Sequence, residues 1–533
     1  MAAVELNVTT TAEVEVREPA SASKSAGRLT HKAYLNAFAS LLDQAAKNSV
    51  SFVVTPLLVA GLGGSLFGVW QILARLVTYM QAADGRPTQA LKWVIANRRD
   101  VDGDEEKRRH VASAIGVWLL FLPVLLTMGG VLVWIAPYMT KVAPEMHSTV
   151  RLSAALLALS FLLTQLVLLP EAVLRGMNLG YKRMGLQAGL SFVGGALSIG
   201  ALYAGGGLVG LAGAQVALVM LTGVLFLLVV KKYVPWFGLV RPRMKEVRSF
   251  LKLSVWYFAW TFVHRFILAS DVVILGVVAS SSAVASYTLT NFAGGLLLGF
   301  VTTAIGAATP GMGGVVGLKQ YAKAASLRAE MMTLSWLLLA TVGSTIIAWN
   351  RSFISLWVGA EHYAGFWPNL LAVLMTVQLI FIRNDSYVID LTLQLREKVL
   401  IGAASAVLSV GLASALTPRL GITGLCIGML AGRAVLTFAY PFLVNAQLGL
   451  PRVPRLAGAA RPALTTLVMF GAAGWLSHAL QVENWFVWAG CAAATFGVAL
   501  LFAFFVGLSV EARRALSKRL TMLRTLPSAR GGL

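Results

Sequence analysis

Charged residues are scarce in this chain of 533 residues. Asp, Glu, Lys and Arg make up 12% of it, against roughly 25% in typical soluble proteins. Hydrophobic residues make up 57%, and a soluble core cannot hide that much apolar surface. The low charge therefore excludes a string of soluble domains and predicts an all-α polytopic membrane protein.

Cysteines and catalytic motifs are also few. Cys426 and Cys491 stand far apart in apolar runs and the six histidines are scattered, so no zinc knuckle, CxxC motif or disulfide framework is indicated. The chain lacks HExxH, GxSxG and GxxxxGK[ST]. The net charge of +22 follows membrane topology and not the pattern of a nucleic-acid binder. We therefore expect no enzyme activity, no cofactor, no metal and no nucleic-acid partner.

Uncharged runs predict about 14 membrane helices, because one span needs about 20 apolar residues. Two charge-free stretches, 184–230 and 272–318, are long enough for two crossings, or for one plus part of another. They break at Gly205-Gly206-Gly207 and at Ser280-Ser281-Ser282. The remaining spans are predicted at 35–61, 67–92, 111–140, 152–170, 251–277, 331–350, 362–382, 399–418, 423–444, 462–482 and 484–510.

The distribution of basic residues predicts the orientation. With the N-terminus inside, 35 of the 44 Lys and Arg residues fall on the cytoplasmic side, four lie in outer loops and five lie within helices. The positive-inside rule then places both termini in the cytoplasm. For example, residues 138–150 and 351–364 are expected outside, and residues 97–109 inside.

An internal repeat predicts two bundles. Gly207-Leu208-Val209-Gly210-Leu211 matches Gly421-Ile422-Thr423-Gly424-Leu425 at an offset of 214, and Phe67-to-Trp70 meets Ala283-to-Tyr287 at 217. Six spans separate the copies, so both halves have the same orientation, as in a parallel repeat about an axis along the membrane normal. The predicted units are a disordered tail (1–33), an N-terminal six-helix bundle (34–231), a basic linker (232–250), a C-terminal six-helix bundle (251–445), two extra helices (462–508) and a basic amphipathic tail (509–533).

Charged residues inside the spans are the candidate substrate-binding residues, because a charge in the bilayer normally faces a cavity or a partner. In span one, Asp43 and Lys47 belong to one polar helical face. Span seven carries His264, Arg265 and Asp271, and at the repeat offset Lys47 corresponds to His264. Together with Arg75 of span two, these six residues predict a cationic lumen.

Some of these charges have a simpler interpretation. Asp43 and Lys47 are four residues apart and could merely neutralise each other. We interpret two further sets, Glu171 with Arg175 and Arg383 with Asp385, as local pairs at the inner rim. Arg433 stands alone in its span, and the sequence does not decide its role.

Two motifs resemble a known family. Phe52-Val53-Val54-Thr55-Pro56-Leu57-Leu58, followed by Leu62-Gly63 and Phe67-to-Trp70, resembles the start of bacterial polysaccharide (O-antigen and exopolysaccharide) flippases of the multidrug/oligosaccharidyl-lipid/polysaccharide exporter superfamily. Phe353-to-Gly359 is similar to the aromatic outer loop after span nine in that family. The resemblance covers roughly residues 34–445 in span order and repeat.

The resemblance implies a flippase of the bacterial inner membrane. Such a protein carries a polyprenyl-diphosphate-linked oligosaccharide to the outer leaflet by alternating access, around a cationic cavity that Lys47, Arg75 and Arg265 would line here. Its partners would be that glycan, membrane lipids, a polysaccharide polymerase and glycosyltransferases, with an ion gradient or the membrane potential as the candidate energy source. Three alternatives remain. One is a multidrug or cation antiporter of the same fold, and another is a lipid II flippase, whose added pair of helices lines a groove for the lipid tail. The third is a non-transport role, such as a scaffold or a membrane-embedded polymerase.

Overall fold

The computed structural model is all-helical over the residues it describes. These residues are 20–81, 84, 87–98, 102–177, 179, 185–242, 244, 247, 263, 270–392, 394–451, 457–514 and 516–517. Side chains are described from residue 41 onward, except at 93, 97, 307–311, 457 and 459. Within them, nine helices are long and apolar enough to cross a membrane, or ten if a bent pair is counted as one span. The predicted polytopic all-α class is confirmed. The division into twelve plus two spans stays a prediction, because most of span seven lies outside the described residues.

The helices fall into two groups along the chain. The first group is α1 (Ala20–Met80), α2 (Pro87–Arg98), α3 (Asp104–Thr140), α4 (His147–Gly176), α5 (Leu186–Tyr203) and α6 (Gly207–Tyr233). After a helical segment at 270–278, the second group is α7 (Ser281–Thr290), α8 (Phe292–Gly317), α9 (Tyr321–Trp357), α10 (Phe366–Thr392) and α11 (Leu395–Gln447). Two more helices follow, α12 (Ala457–Ala479) and α13 (Trp485–Phe502), the latter extended by a π-helical turn at Ala503–Gly507.

The longest helices, α1 and α11, are each broken by a glycine. Gly63 (φ 74°) and Gly421 (φ 57°) adopt left-handed backbone angles that ordinary residues avoid. Close approaches show that α11 folds back on itself: Gly424 lies against Leu416 and Gly432 against Ser409. The residue number of the contact partner falls as that of the glycine rises, which is the pattern of an antiparallel hairpin. The α11 helix thus contributes two antiparallel spans, and Gly63 breaks α1 into two segments.

The repeat is visible in these hairpins. The α5–α6 hairpin turns at Gly207 (φ 50°), and the α11 hairpin turns at its repeat mate Gly421. Gly210 packs back on Ala201 in the first hairpin, as its repeat mate Gly424 packs back on the preceding helix in the second. We call the end that carries these turns, together with Gly63 and Ser280, the glycine-turn end. The opposite end, which carries Arg98, Arg175, Lys231, Lys319 and Arg396, is the basic end.

The two groups share one apolar core at the glycine-turn end. This shared core joins residues of α1, α3, α4 and α6 to residues of 270–278, α7, α10 and α11; it includes Ile72, Leu73, Val150, Leu208, Val272, Tyr287, Met375, Cys426 and Met429. At the basic end the cores are separate, one built from residues 90–247 and the other from residues 263–450. The two groups therefore share one apolar core at the glycine-turn end and have separate apolar cores toward the basic end.

Polar contacts also join the two groups of helices at the glycine-turn end. The hydroxyl oxygens of Ser65 and Ser281, whose separation of 216 residues is close to the repeat offset, lie 3.0 Å apart. Lys141 donates to the carbonyl oxygen of Ala279 at 3.2 Å, and the Trp357 indole donates to the carbonyl oxygen of Phe52 at 2.9 Å. Each of these contacts joins a residue of the first group of helices to one of the second.

Two sequence predictions are wrong in their details. The predicted span 67–92 ends at Met80, and α2 begins afresh at Pro87, because proline lacks the amide hydrogen and is favoured at the first position of a helix. The expected outer loop Phe353-to-Gly359 is helical as far as Trp357. Its aromatic rings stack on Phe52, with centroids 5.7 Å apart for Trp357, and this packing keeps the last turn of α9 folded.

The last helices pack on α9. The indoles of Trp336 and Trp349 donate to Thr466 at 2.9 Å and to Thr495 at 2.8 Å. Within the predicted amphipathic tail, residues 510–514 and 516–517 are helical, and Leu516 packs against the cluster around Trp336. Residues 518–533 of that tail lie outside the described part of the chain.

Candidate functional site

A charged cavity lies between the first group of helices and α8. Its volume is about 370 Å³, and Asp43 and Lys47 of α1 face Glu171 and Arg175 of α4 across it, with Thr303 of α8 closing one side. Lys47 is exposed to this space, whereas Asp43 is buried at 7% exposure. At 1.5 Å per residue, Lys47 lies about 24 Å along the helix from Gly63, so the cavity is in the half of the molecule toward the basic end. We call it the charged cavity.

Glu171 and Arg175 form the predicted local pair. The Arg175 guanidinium lies 2.7 Å from the Glu171 carboxylate across one helical turn, which confirms this part of the interpretation. Both residues also line the charged cavity. Lys92 belongs to α2, which is not among the helices long and apolar enough to cross a membrane. It lies within electrostatic range of Glu171 and Arg175. Its pKa is lowered below the usual value, first by burial and second by the positive charge of Arg175.

A second cavity adjoins the first. Its volume is about 550 Å³, and it shares Thr164 and Leu168 of α4 with the charged cavity. Its polar lining is rich in amides and hydroxyls: Gln81, Asp84, Thr88, Gln89, Ser160, Thr164, Gln165 and Gln215. Trp70 and Phe161 supply aromatic walls. We call this space the amide cavity.

The charge balance of the two cavities is mixed. Among the described lining residues, the acids are Asp43, Asp84 and Glu171, and the bases are Lys47 and Arg175. The predicted cationic character of the lumen therefore depends on residues beyond this set. His264 and Arg265, two of the predicted binding residues, lie outside the described residues.

Arg383 was assigned to a rim pair with Asp385, and this prediction is wrong. Asp385 instead accepts from Arg328 of α9 at 2.6 Å, because the two side chains of α10 leave the helix on different faces. The Arg383 guanidinium donates to the Thr302 hydroxyl at 3.0 Å, next to Thr303 of the charged cavity. Arg383 is therefore a cation beside the charged cavity and not part of a local pair.

Arg75 lies away from both cavities and near the shared core. It is within electrostatic range of Tyr79, which also interacts with Asp271. The Tyr79 hydroxyl donates to Ser270 at 3.3 Å, a contact that crosses from the first half to the second. Arg75 and Asp271, predicted separately, thus belong to one region where the halves meet.

Asp271 has a partner that the sequence could not reveal. It is buried at 8% exposure, accepts from the Tyr287 hydroxyl at 2.8 Å and from the Val272 amide at 2.9 Å, and interacts electrostatically with Arg433. Arg433 is 1% exposed. The isolated arginine of span twelve is thus compensated by an acid 162 positions earlier in the chain.

A larger cavity than the charged and amide cavities is an apolar groove on the second half. It has a volume of about 980 Å³ and lies between α9, α10 and α12; its lining includes Trp336, Leu370, Phe381, Leu467, Phe470 and Trp475. Along α12 it extends from Pro462 to His478, about 24 Å at 1.5 Å per residue. That length approaches the roughly 30 Å of a bilayer's hydrocarbon core.

Comparison with solved structures identifies the fold. An inward-facing multidrug resistance MATE family transporter of the MOP superfamily is similar with a TM-score of 0.62 at 14% identity, covering 77% of this chain and 98% of that one. An outward-facing MATE family transporter gives a TM-score of 0.53 at 14% identity, with 78% and 95% covered. A MOP superfamily transporter from Pyrococcus furiosus Vc1 (DSM3638), whose binding pocket is described as having reverse polarity, gives 0.55 at 13%, with 78% and 95% covered. The fold is that of a MOP-superfamily transporter.

The family follows from the sequence itself. The model of the polysaccharide biosynthesis protein family matches residues 34–314, which is more than half of the chain, and the chain belongs to that family. The resemblance to polysaccharide flippases of the same superfamily is thereby confirmed. No curated protein sequence matches the chain.

Proposed function

We propose that the protein translocates a polyprenyl-diphosphate-linked oligosaccharide from the inner to the outer leaflet of the bacterial inner membrane. The family is one of polysaccharide biosynthesis, and the fold is that of MOP transporters. The observation that carries the proposal is the position of the charged cavity. It lies toward the end at which the two groups of helices have separate apolar cores, and in this proposal a lipid headgroup enters there and is released after the halves rock.

The diphosphate is assigned to the charged cavity. Lys47 is exposed there and Arg175 lines it, while Arg383 lies behind its Thr302–Thr303 wall. Arginine and lysine favour phosphate oxygens through charge-assisted hydrogen bonds. Arg265, at the position that neighbours the repeat mate of Lys47, completes this set in the proposal.

The lipid tail is assigned to the apolar groove of α9, α10 and α12. Its length of about 24 Å exceeds one leaflet of about 15 Å, so it suits a chain longer than an ordinary acyl group. The basic end faces the cytoplasm in this proposal, with both termini inside, as the distribution of Lys and Arg predicts.

The proposal is tested by transport in vesicles. Purified protein in liposomes should move polyprenyl diphosphate that bears a short glycan, measured by access of an impermeant sugar oxidant from one side. Lys47→Ala should reduce the rate, and Gln71→Leu, on α1 but outside both cavities, serves as the matched control. Wild-type protein that leaves such a carrier in place would overturn the proposal.

A second candidate function has an observation in its favour. The described lining of the two cavities holds three acids against two bases, which suits cationic substrates of a multidrug or cation antiporter better than a purely cationic lumen would. Uptake of ethidium against a proton or sodium gradient, with no movement of the glycan carrier, would favour this function.

A further inference from the structure

A small polar cavity adjoins the apolar groove at the glycine-turn end. Its volume is about 360 Å³, and it shares two residues with the groove, Phe366 and His478. The rings of these two residues have centroids 4.7 Å apart. His362, in the loop that lines the cavity, lies against Gly64 beside the break in α1, so the cavity is at the glycine-turn end. We call it the end pocket.

The end pocket is polar and basic. Arg351 is the one residue of permanent charge among its described lining, and Ser355, Tyr363, Ser477 and Gln481 supply hydroxyls and an amide. The Tyr363 hydroxyl lies within electrostatic range of Arg351. No acidic residue belongs to the described lining. The pocket therefore offers an anion one guanidinium and several hydrogen-bond donors.

Arg351 is unusual for its side of the membrane, because it is one of four basic residues predicted in outer loops. Of the other three, Lys141 donates to the carbonyl oxygen of Ala279, and Arg151 lies over the ring of Trp134 at 4.5 Å. Arg351 is exposed and forms no ion pair with an acid in the described part of the chain. A guanidinium that protein carboxylates leave open can bind phosphate through two parallel hydrogen bonds.

We propose that the end pocket is an exit site, which binds the diphosphate of the translocated carrier while the polyprenyl tail still lies in the apolar groove. A basic pocket at one end of an apolar groove matches an amphipathic anion, and the predicted orientation turns this end toward the outer leaflet. The groove extends about 24 Å and exceeds one leaflet of about 15 Å, so a polyprenyl chain suits it better than the acyl chains of a phospholipid. The inference rests on the proposed function and adds a second anion site, far from the charged cavity.

The inference is tested by photo-crosslinking at both anion sites. Gln481→benzoylphenylalanine places the crosslinker in the end pocket, and Thr222→benzoylphenylalanine places it in the charged cavity. The full-length protein in lipid nanodiscs then receives ³²P-labelled polyprenyl diphosphate that bears a short glycan. Capture of the label is expected at both positions.

Variants of Arg351 should affect one position alone. Arg351→Gln should reduce capture at position 481 roughly 10- to 150-fold, the range of a lost hydrogen bond to a charged group, and leave capture at position 222 unchanged. Arg351→Lys should retain part of the capture, since it keeps the charge but loses the planar fork. Arg419→Gln is the matched control, because it removes another exposed arginine outside the pocket, and it should change neither signal.

Competitors identify the occupant. Unlabelled carrier should abolish capture at position 481, whereas equal concentrations of inorganic pyrophosphate or phosphatidylglycerol should not. Competition by phosphatidylglycerol as strong as by the carrier would assign the pocket to membrane phospholipid, and equal competition by pyrophosphate would show that the groove contributes nothing. Either result overturns the inference, as does Arg351→Gln that leaves capture at position 481 unchanged or lowers capture equally at both positions.

The two crosslinking positions also separate this inference from the proposed function. If otherwise wild-type protein captures the carrier at position 222 and not at position 481, the exit site is wrong and the proposed function stands. If it captures the carrier at neither position, the proposed function itself is contradicted.

Discussion

The closed glycine-turn end depends on a close approach at Gly68. A Cβ atom added there would overlap the carbonyl oxygen of Ser281 and lie 2.6 Å from its carbonyl carbon. Gly68 belongs to the first half and Ser281 to the second, and the obstacle is backbone that cannot swing aside. Gly68→Ala therefore acts as a wedge between the halves, and the strain is relieved when they separate at this end.

The size of the effect follows from the cost of overpacking. One extra carbon in a well-packed contact costs about 1–3 kcal/mol. This cost falls on the state that is closed at the glycine-turn end and not on the state in which the halves have parted. At about 1.4 kcal/mol per factor of ten, the equilibrium should move roughly 5- to 150-fold toward opening.

A native cysteine reports the opening. Cys426 is fully buried in the shared core, so a membrane-impermeant thiol reagent reaches it only when that core parts. In a Cys491→Ser background, Gly68→Ala should accelerate the labelling of Cys426 by a factor in the stated range. Gly213→Ala is the matched control, because the space around the Cβ position of Gly213 is open, and its labelling rate should equal that of the parent.

Two results would refute this reasoning. One is unchanged labelling of Cys426 in a Gly68→Ala protein that melts at the parental temperature. The other is slower labelling than in Gly213→Ala, which would mean that the wedge stabilises closure. A lowered melting temperature with fast labelling of both variants would show that the reporter detects unfolding instead of opening.

Three further predictions concern the charges and the topology. Lys47→Ala should reduce glycan export about tenfold or more, the factor that a lost interaction of about 1.4 kcal/mol represents, as measured by complementation of a flippase-deficient strain at matched protein abundance. Asp385→Asn should destabilise the protein by about 3–5 kcal/mol, because it leaves Arg328 without its carboxylate; thermal unfolding in detergent measures this, and an unchanged midpoint would contradict it. A single cysteine in place of Ser148 should be labelled from the outside, and one in place of Ser517 only from the inside. If an impermeant reagent labels the cysteine at position 517 in intact cells, the predicted orientation is wrong.

Local features of the fold were predictable from the sequence. Charge-free runs mark most spans because lipid excludes charge over about 20 residues. The glycines of the α5–α6 and α11 hairpins were found as a repeat because a positive φ restricts the choice of residue, so that Gly207 and Gly421 stand out. The break predicted at Ser280-Ser281-Ser282 is also present, since Ser280 caps the start of α7 by accepting from the Ala283 amide at 3.2 Å.

Pairings between distant helices were not predictable. Local spacing correctly paired Glu171 with Arg175, which are one turn apart. The same rule failed for Asp385, whose partner Arg328 lies on another helix. It also gave no partner for Arg433, because Asp271 reaches it only through tertiary packing. A one-residue error in helix rotation changes which face a charge occupies, and a single sequence does not fix that rotation.

The positions of the cavities constrain how an amphipathic substrate would move. The amide cavity is lined by the first group of helices, and the charged cavity by that group with Thr303 of α8, whereas the apolar groove belongs to α9, α10 and α12. On the proposed function, one substrate molecule therefore contacts both halves, its head in the first and its tail on the second. Rocking about the shared core then carries the head across while the tail stays in apolar surroundings throughout. The free-energy cost of leaving water then falls on the sugars and the diphosphate alone. These are the groups for which the two polar cavities offer amides and cations in place of water.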